Sequence, residues 1–254
     1  MGALHAGHGR LIDEARAASA TVAVSVFVNP IQFNQSEDYA RYPRPLEADL
    51  GFCAARGVDT VFAPPAEEMY PQPQVTFVDV GRVADHMEGH FRPGHFRGVA
   101  TVVMKLFQIV QPDCAYFGEK DAQQLAVIRR MVRDLNLPVG IAGVATVREP
   151  DGLALSSRNR HLGVEERGIA PRLYRALRVA EQRIAAGESD AEAIKRAARE
   201  VLAGDPRMRL EYLEIADDAE MQPVESVSGP VRVAAAVWVG QTRLIDNLRC
   251  DPPA

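Results

Sequence analysis

The 254-residue chain reads as an α/β protein, a doubly wound parallel sheet followed by a smaller α+β domain. Three observations point there. Apolar, β-branched runs such as Thr21 to Val28 are too continuous for strands with one wet face, and suit a parallel sheet buried on both sides. Such runs alternate with segments of helical spacing, as strand–helix–strand units do. After about Val147 the alternation stops, and Ala/Arg/Glu-rich helices are followed by neighbouring strands.

Gly9 to Ala20 has helical spacing, with Leu11, Ile12 and Ala15 on one face, and leads into the Thr21 to Val28 strand, which ends at Asn29-Pro30. Leu46 to Arg56 is expected as a helix and Asp59 to Ala63 as a short strand. Pro64-Pro65 and Pro71-Gln72-Pro73 mark irregular backbone, and Val75 to Val80 has strand composition. Gly98 to Val110 is helical, with Val99, Val102, Val103, Leu106 and Phe107 on one side. Strand Asp113 to Phe117, helix Ala122 to Leu135 and strand Val139 to Val147 complete the first domain. The turn at Glu149-Pro150-Asp151-Gly152 marks the hinge. Beyond it come helices over Glu165 to Ala186 and Asp190 to Ala203, then strands Arg209 to Ile215, Val231 to Val239 and Thr242 to Asn247.

Composition narrows the function classes. With 47% hydrophobic and 25% charged residues the chain is ordinary for a globular protein, and a net charge of −5 argues against a general nucleic-acid binder. No apolar run approaches the roughly 18 residues of a membrane span, and no leader opens the chain. Cys53, Cys114 and Cys250 fall in no metal-like pattern and read as reduced thiols of a cytoplasmic enzyme.

Chemistry concentrates where strands end. Met1-Gly2-Ala3-Leu4-His5-Ala6-Gly7-His8 places two histidines three apart on one helical face, with small residues between them. That suits a polyphosphate at a helix N-terminus. In Phe27-Val28-Asn29-Pro30-Ile31-Gln32-Phe33, Asn29 and Gln32 can hydrogen-bond a carboxylate or hydroxyl while Ile31 and Phe33 enclose an apolar body; the segment is equally readable as a strand terminator. Gly118-Glu119-Lys120-Asp121 opens a helix with a mobile cation beside unpaired amides, and Gln124 lies one turn on; a solvated charged cap has the same look. Leu155-Ser156-Ser157-Arg158-Asn159 offers hydroxyls and a guanidinium for a polyphosphate, or is a plain polar loop. His86 and His90 stand at i, i+4, but Gly89, Pro93 and Gly94 break the helix that would align them with each other or with His95. They therefore read as a loop beside a substrate mouth.

Taken together, MGALHAGH, FVNPIQF, HFRGVATVV, YFGEKDAQQL, LSSRN and TRLIDN, in that order across nearly the whole chain, resemble the pantoate–β-alanine ligase family of the HIGH-motif nucleotidyltransferases. The resemblance implies a Rossmann-like ATP- and pantoate-binding domain over 1–147 and a smaller C-terminal lid domain over 148–254. It implies condensation of pantoate with β-alanine through a pantoyl adenylate, with release of AMP and pyrophosphate, in a cytoplasmic homodimer using ATP and Mg2+, without nucleic-acid or membrane partners. Carried over residue by residue, His5, His8, Lys120, Ser156, Ser157 and Arg158 would act on the phosphates. Met1, Gly7, Gly118, Asp121, Val147 and Leu155 would complete the ATP site, and Gln32, Gln124, Met1 and Arg92 the pantoate site. Asp49 falls in a segment used around magnesium, although Ala48 and Phe52 supply no companion ligands.

Two alternatives accompany this reading. One is a different adenylate-forming nucleotidyltransferase. The other arises because family members carry a further strand and a Pro-Thr pair before the residue matching Met1: a truncated, catalytically weak nucleotide-binding form with the first strand of its sheet missing.

Overall fold

The computed structural model describes residues 2–33, 39–40 and 42–253. The chain divides into two units. One comprises Met1–Gly81, Gly89–Glu119 and Val127–Ala145, the other Arg82–Glu88, Lys120–Ala126 and Thr146–Ala254.

The first unit is the parallel α/β part. Helix α1 (Ala6–Ala18) leads to strand β1 (Ala23–Ser25), and helix α2 (Leu46–Ala54) to strand β2 (Thr60–Phe62), followed by the short α3 (Ala66–Met69). β1 and β2 pair in parallel, Val24 opposite Val61. After α4 (Glu88–Phe91), whose first residue belongs to the second unit, helix α5 (His95–Val110) leads to β3 (Cys114–Gly118), and α6 (Ala122–Asp134), assigned to the first unit from Val127 on, leads to β4 (Gly140–Val144). β3 and β4 form a second parallel pair, Tyr116 opposite Ala142. Among the described residues the parallel strands thus lie as two pairs rather than as one continuous ladder. Ile12, Ala15, Val22, Val24 and Cys53 form a core with Leu4, Phe52 and Tyr116 packed on it, and α1 also lies against β3 and β4.

Several elements are shorter than their sequence pattern suggests. The apolar run Thr21 to Val28 ladders only over Ala23–Ser25, because β2 offers three partners; Val26 adds one further amide bond to the Phe62 carbonyl. Val75 to Val80 is not a strand. The Val78 amide donates to Thr101 Oγ1 on α5, and Val75 is left exposed. Strand composition without a neighbouring strand yields extended chain that borrows side-chain partners.

The second unit is α+β, as the change of pattern after Val147 implies. The single helix expected over Glu165 to Ala186 is two, α7 (Val164–Ile169) and α8 (Arg172–Ala185). Pro171 has no amide hydrogen for the bond that would continue α7, so the helix restarts after it. Helix α9 (Ala191–Leu202) is capped by Asp190, whose carboxylate accepts the amides of Glu192 and Ala193. Strands β5 (Met208–Asp217), β6 (Val231–Val239) and β7 (Thr242–Cys250) form an antiparallel meander with β6 central. One face of it packs on α8 and α9 through Leu177, Ile184, Ile194, Ile215, Val233 and Val237, all fully buried.

Candidate functional site

The glycine-rich opening of the chain forms a helix start held by its own histidines. His5 is the N-cap of α1, in extended backbone. Its Nδ1 accepts the Gly7 amide at 3.1 Å, and the His5 amide donates to His8 Nδ1 at 3.2 Å. The two rings lie 4.1 Å apart between centroids. A ring nitrogen that accepts an amide hydrogen carries none itself, so each neutral imidazole holds its proton on Nε2. Both rings are therefore Nε2 donors. The segment before them is equally organised. Ala3 is buried in left-handed backbone at φ 51°, and the amides of Ala3 and Leu4 donate to the two oxygens of Asp49, at 2.9 and 2.7 Å. Met1 lies outside the described residues.

Asp49, carried over as a magnesium ligand, thus has both oxygens engaged by backbone amides. Among the described residues no three His, Cys, Asp or Glu side chains stand together so as to hold a metal, His86 and His90 included.

Gln32 closes a 3-10 turn over Pro30–Gln32. Its Oε1 accepts from Asn29 Nδ2 at 3.2 Å, and the same amide group donates to the Gly98 carbonyl at 3.1 Å. Tyr70 donates its hydroxyl to Asn29 Oδ1 at 2.7 Å. Asn29, weighed as a substrate contact, is instead 2% exposed and faces inward, a clasp that orients Gln32. Burial pushes the Tyr70 phenol up to about 12, which keeps it a donor. Helix α5 meets this turn at Gly98, where a Cβ would sit 2.4 Å from the Ile31 carbonyl oxygen. Glycine is therefore required by close backbone approach, not by backbone angle. His95, read from its neighbours as part of a loop, is the first residue of α5 and is buried. Its Nε2 meets the Arg92 guanidinium at 3.1 Å and its Nδ1 meets the Gln32 carbonyl at 2.9 Å. A guanidinium only donates, so His95 is the Nδ1–H tautomer and joins Arg92 to the backbone of Gln32. The motif HFRG signals this joint, but its partner lies 63 residues away.

In the second unit, Lys120, Ser156, Arg158, Asn159, Arg243 and Asp246 line one shallow cleft. Lys120 sits in the 3-10 turn Glu119–Asp121 that feeds α6, with Nζ 3.8 Å from Asp121, and its carbonyl accepts from Asn247 Nδ2 at 2.8 Å. Ser156 caps the 3-10 turn Ser157–His161, its Oγ accepting the Arg158 amide. The Leu155 amide donates to the Val147 carbonyl at 2.9 Å, which places those two candidates side by side. Behind the cleft Arg148 makes a bidentate pair with the buried Asp246, at 2.6 and 3.0 Å. Burial raises the Asp246 carboxyl above its usual range, and the Arg148 pair works against that. Gln124 is half-buried in the first turn of α6. Gly118 ends β3 in the first unit.

Gln123, one residue before Gln124, carries a role that the motif alone does not disclose. It is buried; its Oε1 accepts the Glu88 amide at 3.0 Å, and its Nε2 donates to the Val83 and His86 carbonyls at 2.9 and 2.8 Å. Glu88 is in turn held by the Arg243 guanidinium at 2.9 and 2.6 Å and by the Tyr212 hydroxyl at 2.9 Å. Arg243 also pairs with Glu211, which accepts from Trp238 Nε1.

Comparison with known proteins identifies the family of the chain. The family model described as pantoate-beta-alanine ligase matches residues 1–249. A pantothenate synthetase of Chloroflexus aurantiacus is 55% identical over 248 residues, covering 97% of this chain and 88% of that protein. The crystal structure of pantothenate synthetase from Thermus thermophilus superposes with a TM-score of 0.93 at 51% identity, covering 98% of this chain and 90% of that one. A pantoate-beta-alanine ligase from Francisella tularensis, solved in complex with beta-gamma ATP and beta-alanine, gives a TM-score of 0.80 at 36% identity, covering 98% and 86%. These matches leave no place for a different adenylate-forming transferase, and the chain belongs to the pantoate–β-alanine ligase family of enzymes.

Proposed function

We propose that this chain condenses pantoate with β-alanine at the expense of ATP, in two displacements. In the first, a pantoate carboxylate oxygen bonds to the α-phosphorus and the bond to the β-phosphate oxygen breaks, giving pantoyl adenylate and pyrophosphate. In the second, the β-alanine amine attacks the acyl carbon and AMP departs with the electron pair of the broken acyl–oxygen bond. The attacking nitrogen gives up its proton, and pantothenate results. Neither step needs a protein nucleophile, so rate comes from orientation and from donors aimed at developing charge.

The observation that carries this reading is the shared cleft of Lys120, Ser156 and Arg158 in a chain whose family joins these substrates. Lys120 and Arg158 supply positive charge for the triphosphate and departing pyrophosphate, with Ser156 and Ser157 as hydroxyl donors. His5 and His8, both Nε2 donors, bind phosphate oxygens as charge builds on the α-phosphorus. Gly7, Gly118, Asp121, Val147 and Leu155 belong to the nucleotide site. Gln32, Gln124 and Arg92 hold pantoate, Gln32 being aimed by Asn29 and Arg92 braced by His95. The active species is read as a cytoplasmic homodimer, a state that sedimentation would measure directly.

The test is isotope exchange between pyrophosphate and ATP. Exchange should require pantoate and proceed without β-alanine. Exchange that needs β-alanine, or that runs with other acids but not with pantoate, would overturn the adenylate route. His8→Ala should slow it by about 100- to 1,000-fold, the scale of losing one donor to developing charge.

A further inference from the structure

We propose that Asp49 is a positioning residue for the His5–His8 turn, acting through backbone amides and not through a metal ion. The inference rests on the phosphate-handling role given above to the two histidines. Three consecutive amides at the head of the chain have side-chain acceptors: Ala3 and Leu4 on the two oxygens of Asp49, and His5 on His8 Nδ1. Asp49 thus grips the two peptide groups next to the N-cap that carries the first imidazole. It stands in the first turn of α2 and is 2% exposed. Ala3 is equally buried, and its left-handed backbone is one that alanine rarely adopts. Such a conformation persists only where its surroundings over-determine it. The carboxylate supplies that restraint, because its two acceptors match two adjacent amides that would otherwise be poorly satisfied indoors.

Aspartate is specified by this geometry. Asparagine would turn an NH2 group toward an amide hydrogen, and alanine would leave two inward amides without their acceptor. Both Asp49 oxygens are already turned to backbone amides, and among the described residues no group of three His, Cys, Asp or Glu side chains that could hold a metal ion is found.

Asp49→Asn separates the two roles. As a positioning residue, its loss should lower kcat by about 100-fold, the scale of displacing reacting groups by around an ångström. The half-saturating Mg2+ concentration should stay within twofold, and the His5 and His8 ring-nitrogen resonances should shift while near-ultraviolet circular dichroism stays native. A tenfold rise in the Mg2+ requirement, or a kcat within threefold of the parent with unmoved imidazole resonances, would overturn the proposal. A variant that does not fold leaves the parent protein as the judge. There, the Ala3 and Leu4 amide protons should be shifted downfield, slow to exchange and indifferent to a Mg2+ titration; fast exchange or a Mg2+-dependent shift would refute the contact. These resonances are read without turnover, so failure of the ligase reading, seen as absent pantoate-dependent exchange in the parent, is distinguishable from failure of this one.

Discussion

Single residues in this chain are chosen for what they exclude as much as for what they bind. Gly98 is the clearest case, since any side chain there meets the Ile31 carbonyl. Gly98→Ala should destabilise by about 1–3 kcal/mol through overpacking and should raise the pantoate KM, because the displaced turn is the one that carries Gln32. Chemical denaturation and steady-state kinetics measure the two effects separately. Tyr70 bears on the same turn with a pH signature. Its phenol ionises near 10 when unfolded and about 12 when folded. Between those values the unfolded state has lost a proton that the native state keeps, so stability falls as pH rises through that window and is fully present below it. In Tyr70→Phe that part of the slope disappears. Urea midpoints at pH 9, 10 and 11 should therefore decline less steeply in the variant than in the parent, and equal slopes would remove Tyr70 from the account.

Elements in the second unit are joined by one buried polar network rather than by apolar contact alone. Arg243 on β7 binds Glu88 and Glu211, and Gln123 at the start of α6 gathers three backbone groups of the segment leading to Glu88. Burial works against the guanidinium, yet the two carboxylates hold it above its ordinary value, so it stays charged. Arg243→Met leaves two carboxylates buried without their cation and should cost about 3–5 kcal/mol by urea denaturation. Adding Glu88→Gln and Glu211→Gln should recover much of that loss, since the uncompensated charge is what costs most. None of this was legible beforehand, and the reason is distance along the chain. Gln123 and Glu88 are 35 residues apart, Glu88 and Arg243 155. By contrast α9 and β6 were legible nearly residue for residue, because spacing, caps and β-branched runs are local, while α5 was legible except for its first turn, His95 to Arg97. The site divides the same way. The motifs MGALHAGH, GEKD and LSSR suggest phosphate binding within a few residues, whereas the hydrogen-bond partners of Asp49, His95 and Gln123 lie in distant segments that nothing local in the sequence discloses.

At the scale of the whole molecule the two units differ in how firmly their sheets are tied. β6 is flanked on both sides along nine residues, and its inward side chains are almost wholly buried against α8 and α9. β1 and β2 share a three-residue ladder, and β3 and β4 one of five. Opening free energies follow buried contact and ladder length, so local unfolding should begin where the ladders are short. Native-state hydrogen exchange followed by mass spectrometry should find the amides of β6 the last to exchange, those of β3 and β4 earlier, and those of β1 and β2 earliest of the strands. A nucleotide that binds the His5–His8 turn adds contacts only to the folded form, so saturating ATP should slow exchange over residues 2–9 in proportion to its occupancy, without accelerating β6. Protection confined to the second unit on adding ATP would remove the histidine turn from the nucleotide site while leaving the Lys120–Arg158 cleft in place.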